Sequence, residues 1–493
     1  LKELANLALD TAQARGATYA DVRVVEHREQ TISVKNGVVE SLGEIEDRGF
    51  GVRVIADGAW GFASSAILDK AEVERVAALA VEIARASVLA VREPVDIGPA
   101  VTSTGTYHTP FEIDPFGVPL EDKIALLLEA DRRMRRATRA GAGVTTAKGV
   151  LACLRERKTF ANTEGAFTEQ EIVESGGGIT AIAVGDGEVQ QRSYPNSFGR
   201  DQRTIGWEYI QQVDLPGNAE RVAGEAVALL TADACPSTTT TVILGSTQLA
   251  LQIHESCGHP TELDRVFGSE AAYAGTSFLT PDNLDTLRYG SPVVNLTADA
   301  TIPGGLGTFG WDDEGVPAQR IELVKEGLFV GYLSSRETAV QLAQLRGLDP
   351  TEARSGGAMR ASSWSRIPII RMTNISIEPG EWTFDDLVAD TDEGIFMEVN
   401  RSWSIDDRRL NFMFGTELGY EIKNGKLGRM LKNCTYTGIT PQFWNSCDAV
   451  CNRDHWQVWG TPNCGKGRPS QVAHTGHGAA PARFRNVQVG VMK

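Results

Sequence analysis

The chain has 493 residues, too many for one ordinary core and suited to two or three domains. Hydrophobic residues make up 42% and charged residues 23%, a globular balance that can build a large core without disulfide staples. The net charge of −16 argues against a nucleic-acid binder, which would carry a basic field or patch.

Residues 1–14 place Leu1, Leu4, Leu7, Ala8 and Ala12 on a helical stripe, with Gly16 positioned to end it. From Ala20 the period changes to two through Val22, Val24, Ile32 and Val34, and Asn36-Gly37 then signals a hairpin. Asp57-Gly58 repeats the signal. Helices are expected over Lys70 to Val88 and near Leu120 to Arg136. The chain's basic cluster, Arg132 to Arg139, reads as a polar helix face rather than a contact for an anionic partner. Proline-containing Val91 to Pro119 reads as a connection. Strand-like segments fill Ala147 to Val184, with Ser175-Gly-Gly-Gly as a break, and a helix is expected at Ala219 to Leu230.

The expected fold class is α+β. Residues 1–217 form an N-terminal domain of helices and antiparallel sheet, and residues 218–493 a β-rich domain with a curved sheet. The second part opens on the β-branched run Thr238-Thr-Thr-Thr-Val-Ile-Leu and a helix from about Ser246. Turns at Glu326-Gly327, Pro379-Gly380 and Asn424-Gly425 then separate short apolar runs. Seven irregularly spaced cysteines point to a reducing compartment. No apolar run approaches the ~18 residues of a membrane span, and the opening helix lacks a signal peptide's basic start and apolar centre. A cytoplasmic protein without membrane contact is expected.

The segment that carries chemistry is His254-Glu255-Ser256-Cys257-Gly258-His259-Pro260. Imidazole is the commonest zinc ligand, and a glutamate beside it can take a proton from water. In HExxH the histidines stand four apart on one helix face. Here they stand five apart, which on an undistorted helix turns them about 140° from each other. Either a π-bulge widens the helix or the helix stops at Gly258, swinging His259 back beside His254.

Catalytic zinc takes three protein ligands. The candidates for the third are Cys464, Glu262, Asp264, His455, His474 and His477. On the residues alone, Cys464 reads as a small apolar residue in a glycine-rich turn. Cys447, Cys451 and His455 recur every four residues and, on a helix, would share a face. With Cys434 they make a rival structural zinc site, set against ordinary core cysteines. A nucleophilic Cys257 paired with His259 lacks an identifiable orienting Asn or Asp. The glycine run Gly304 to Gly310 lacks the ending of a P-loop. Asp312-Asp313-Glu314 reads as a turn or hydrogen-bonded cluster before it reads as a cation site.

Several stretches together resemble the TldD branch of the TldD/PmbA family over nearly the whole chain. They are Tyr19-Ala-Asp-Val-Arg23, Gly51-Val-Arg-Val-Ile55, Gly58-Ala-Trp-Gly-Phe-Ala63, the segment His254-Glu255-x-x-Gly258-His259-x-x-Glu262-x-Asp264, Gly310 to Pro317, Arg371-Met-Thr-Asn374, Phe414-Gly-Thr-Glu417 and Asn463-Cys-Gly-Lys466. The resemblance implies a zinc metallopeptidase acting on short or unfolded peptides, with Glu255 as the base that activates a zinc-bound water. It implies His254, His259 and Cys464 as ligands, so that Cys464 becomes the third. Glu262 and Asp264 are then expected to orient His259 or the backbone. It also implies a dimer, with a TldE/PmbA-like subunit or with a second copy. The alternatives are a non-catalytic scaffold subunit of such a complex and a gyrase- or nucleic-acid-associated modulator. Cys257, Pro260 and the tail from Arg468 depart from the family pattern, leaving His474 and His477 without a role.

Overall fold

A computed structural model describes residues 1–139, 141–185 and 187–490. The α+β reading holds, with two large sheets, each covered by helices.

The first sheet has nine strands, ordered through 59–65, 38–56, 19–35, 142–162, 167–185 and 104–108. The long neighbours are antiparallel. Asn36 and Gly37 take φ of 49° and 85° and join Tyr19–Lys35 to Val38–Ala56, as the hairpin signal requires. Asp57 and Gly58 do the same with φ of 51° and 79°. Helices Lys2–Ala14 and Lys70–Ser87 bury alanine- and valine-rich faces on one part of this sheet, and Asp69 caps the second by accepting from the Glu72 N–H at 2.8 Å. Helices Leu120–Met134 and Leu215–Leu229 cover another part. Arg132 and Arg133 both pair with Glu129 at 2.6 Å, and Arg135 pairs with Asp131, so this basic run is a helix end neutralised by its own neighbours. The side chain of Arg139 lies outside the described residues.

Two expectations fail here. Val91 to Pro119 is not only a connection, because Thr104–His108 adds a parallel strand to the sheet. Ser175-Gly-Gly-Gly does not break a strand either, since Phe167–Gly185 runs through it. These glycines mark crowding. A Cβ on Gly176 would stand 2.5 Å from the Asp201 carbonyl oxygen, and one on Gly178 would stand 2.2 Å from that of Gly199. The short strand Asp201–Arg203 pairs there.

The second sheet has eight strands, and Thr238–Leu244 lies between Glu393–Ile405 and Ala482–Val489. It feeds helix Ser246–Ile253 into the largest core. The helix that would put Cys447, Cys451 and His455 on one face is absent. Cys447–Val450 is a strand against Ala482–Val489, and Arg453–His455 is a 3-10 turn. Cys434, Cys447 and Cys451 are core residues, while His455 Nε2 accepts from the Phe384 N–H at 3.2 Å. The apolar strand fits because its side chains face a continuous core, which period-four spacing could not reveal.

Gly178→Ala is expected to destabilise the protein by about 1–3 kcal/mol through overpacking. Gly224→Ala, on a helix position with open space at its Cβ, is expected to be neutral or stabilising. Chemical denaturation of both variants checks the contrast.

Candidate metal centre

Helix Ser246–Ile253 does not stop at the histidine. It widens into a π turn over His254–Gly258, in which the His259 N–H donates to the His254 carbonyl five residues back. The widening leaves carbonyls poorly used, and side chains take them up. Tyr289 donates to the Ser256 carbonyl at 2.6 Å, and Thr261 to those of Cys257 and Gly258 at 3.0 and 2.8 Å. Gly258 is required by crowding, since a Cβ would lie 2.1 Å from Met372 Sδ. The result sets the His254 and His259 rings 4.9 Å apart and nearly perpendicular.

Cys464 arrives from the hairpin Gln457–Lys466 and Gln471–Ala479, just after a register shift between Thr461 and Cys464. Arg371 clamps this hairpin, donating to the Cys464 carbonyl at 2.5 Å and to the Gln471 carbonyl at 3.0 Å. One ligand atom each from His254, His259 and Cys464 then falls within 4.8 Å of the others, all buried. Among the described residues this is the cluster of ligating side chains that could hold a metal.

The hydrogen bonds decide which nitrogens face inward. The Ile375 carbonyl can only accept, so His477 donates to it from Nδ1, at 3.3 Å. His477 Nε2 is left to accept, and His254 Nδ1 donates to it at 2.8 Å. His254 Nε2 therefore keeps its lone pair. In the same way His259 Nδ1 donates to Glu262 at 3.0 Å, leaving Nε2 free toward Cys464 Sγ at 3.6 Å. Tetrahedral zinc, with Zn–S of about 2.3 Å and Zn–N of about 2.0–2.1 Å, has an N···S edge of about 3.6 Å. The donor set fits that ion.

Electrostatics supports the same protonation states. Burial pulls the pKa of His254 and His259 down, favouring the neutral imidazoles that ligate. His477 lies well below the ordinary histidine value, through burial and then His254. Burial opposes a thiolate at Cys464, but an imidazolium at His259, and then Arg371, counter it, so the thiol sits below its usual range. Burial also resists charge on Glu262, yet Lys466 and then His259 hold its carboxyl well below the carboxylate range.

Glu255 is buried beside His254 and ion-paired to Arg409, a partner the sequence did not suggest. Asp264 accepts from Lys466 at 2.7 Å, and so reaches the hairpin of Cys464 rather than His259. Glu262 is taken up by His259, Arg265 and Lys466. His474 pairs with Glu174 at 2.7 Å, apart from the cluster. Cys257 fails as a nucleophile, because burial pushes its thiol up to about 12 in spite of the Tyr289 hydroxyl at 3.1 Å. His477, one of the candidates for the third ligand, instead bonds His254, a role the sequence could not show because the two stand 223 positions apart with no motif spacing.

Three family models match the chain. PmbA/TldA metallopeptidase domain 1 covers residues 20–84, the central domain residues 113–231 and the C-terminal domain residues 237–490. The chain belongs to the PmbA/TldA metallopeptidase family. The whole metal cluster lies within the C-terminal match of this metallopeptidase. A metalloprotease of Methanocaldococcus jannaschii is 29% identical over 433 residues, 88% of this chain and 89% of that one. A metalloprotease TldD homolog of Haemophilus influenzae is 26% identical over 492 residues, 98% of this chain and 94% of that one. A zinc metalloprotease TldD homolog of Saccharolobus solfataricus is 23% identical over 214 residues, 42% of this chain and 43% of that one. TldE of Thermococcus kodakarensis superposes with a TM-score of 0.74 at 16% identity, covering 99% of this chain and 100% of that one. At that identity the likeness is one of fold.

His477→Ala is expected to weaken zinc affinity by about 10–100-fold, although His477 supplies no ligand atom. His474→Ala is expected to leave it unchanged. Competition with a chromogenic chelator reads both.

Proposed function

We propose that this metallopeptidase is zinc-dependent and hydrolyses short or unfolded peptides, with His254, His259 and Cys464 as ligands and Glu255 as general base. The observation that supports this most is the buried, tautomer-fixed donor set opening, with Glu255, on one cleft of about 260 Å³. Bound zinc would supply Lewis acidity, polarising a scissile carbonyl and making water easier to deprotonate. Glu255 takes the proton of the attacking water and passes it to the leaving amine. Arg409 holds the Glu255 carboxylate against the cleft wall through their ion pair. His477 and Glu262 keep the two imidazoles turned so that Nε2 faces inward. Asp264 and Lys466 brace the hairpin that carries Cys464.

Among the described residues no helix is long and apolar enough to cross a membrane. We place the protein in the cytoplasm, as a dimer with a TldE-like subunit or with itself. Support comes from the near full-length similarity to TldD homologues and the shared fold with TldE. The scaffold-only alternative gains nothing from a site in which Glu255 and all three donors are retained.

Glu255→Gln is expected to keep zinc and fold while losing peptide hydrolysis by roughly 10²-fold or more. Turnover of a fluorogenic peptide by the zinc-loaded variant at near the wild-type rate would rule Glu255 out as the base. Light scattering on the active protein tests the assembly, and an active monomer would defeat the dimer.

A further inference from the structure

The cleft holds a cation that the catalytic arrangement leaves unused. Arg200 lines the same cleft as His254, Glu255, His259 and Cys464. Its guanidinium makes no hydrogen bond, ion pair or ring contact among the described residues. Its neighbour Asp201 is not a partner, because that carboxylate points into the core. There it accepts from the Gly460 N–H at 2.6 Å and from Arg203 at 3.2 Å, and is bonded to Tyr209. The other cleft arginine, Arg409, is already paired with Glu255.

The backbone fixes where Arg200 stands. Gly199 on one side is packed so tightly that a Cβ would meet Thr180 Oγ1 at 2.2 Å, and Asp201 on the other is anchored in the core. Ser197 Oγ accepts from the Asn400 N–H at 3.0 Å and ties the loop to the second sheet. Burial, with no anion nearby, pulls the guanidinium below its usual pKa. A half-buried, unpaired guanidinium on a pinned stretch of backbone can take a carboxylate bidentately. Phe198 and Trp403, 45% and 46% exposed with ring centroids 5.7 Å apart, line the same cleft and offer an apolar surface beside it.

We propose that Arg200 anchors a substrate carboxylate, and that the cleft therefore prefers peptides presenting one close to the bond that is cut. This rests on the peptidase reading above. A peptide has two sources of that group, its C-terminal α-carboxylate and an aspartate or glutamate side chain. Arg200 is a binding residue and takes no part in proton transfer.

The test uses full-length zinc-loaded protein and three peptides of one sequence: the free acid, the C-terminal amide, and the amide with a glutamate replacing a glutamine. Calorimetry on the Glu255→Gln background gives Kd without turnover, and steady-state kinetics with Glu255 intact gives KM and kcat. A carboxylate-bearing peptide is expected to be favoured about tenfold or more in Kd and KM, the worth of a charged hydrogen-bonded pair. Arg200→Gln should erase that advantage with zinc content retained, and Arg200→Lys should keep part of it. Loss of the free-acid advantage assigns the terminus, and loss of the glutamate advantage assigns the side chain. Equal ratios in wild type and Arg200→Gln would overturn the proposal, as would a loss confined to kcat and common to all three peptides. If no peptide is hydrolysed but the Kd ratio still depends on Arg200, the peptidase reading fails and the carboxylate site stands.

Discussion

The centre depends on one backbone hydrogen bond, from the His259 N–H to the His254 carbonyl. An α-helical turn would close on the residue four back and send the imidazoles apart. The π turn adds one residue to the ring and brings them together, at the cost of poorer backbone bonding. Tyr289 and Thr261 offset that cost by bonding the carbonyls of the widened turn, and Trp444 fixes the Ser256 hydroxyl at 3.0 Å. All of these groups are buried, so the turn is held by packing that water cannot exchange. The rigidity matters because side chains displaced by a fraction of an ångström would lose the spacing a bound metal needs.

A second network joins the first sheet to the loop around Asp312 to Glu314. Asp313 pairs with Arg23 at 3.4 Å and with Lys158 at 2.8 Å, both cations coming from the first sheet. Glu314 faces Arg53 at 3.5 Å and accepts the Arg336 N–H at 2.8 Å, while Arg336 grips both oxygens of Glu164. Asp312 accepts from the backbone N–H groups of Glu314 and Val316. The acidic triplet is therefore spent on basic side chains and its own turn, which answers the question of whether it holds a metal. Buried charges of this kind stabilise little over apolar packing, but breaking one partner is costly, so they enforce one docking of that loop on the first sheet. The Arg200 loop is pinned separately, to the second sheet through Ser197 and to the first through Gly199.

The glycine run Gly304 to Gly310 has a related role. A Cβ on Gly305 would lie 2.5 Å from Asn374 Oδ1, and the Gly307 N–H donates to that same oxygen at 2.8 Å. Asn374 precedes Ile375, whose carbonyl sets the His477 tautomer. A stretch that superficially suggests a phosphate loop thus packs against Asn374, next to the residue that orients His477.

Much of this was legible in the chain itself. Period-two and helical stripes with Asn36-Gly37 and Asp57-Gly58 determined the opening helix and meander, because local backbone preferences alone fix such hairpins. The five-residue spacing with Gly258 determined that the helix must widen or end if both histidines were to face one metal, and it widens. Length set the expectation of two or three domains, and the apolar residues gather in three clusters. Tertiary structure alone decided the rest. Cys464, Arg409 and Arg200 reach the cleft, and His477 reaches His254 behind it, from segments far apart in sequence, and nothing in the local pattern of Arg409 or Arg200 distinguishes them from ordinary core or surface residues. The apparent helix at Cys447 became a strand, and the Ser175-Gly-Gly-Gly break became a crossing point, because long-range burial overrode local signals. Which nitrogen of each histidine faces inward follows from acceptors that only the folded chain supplies, and that is why the site's chemistry is a property of the tertiary structure.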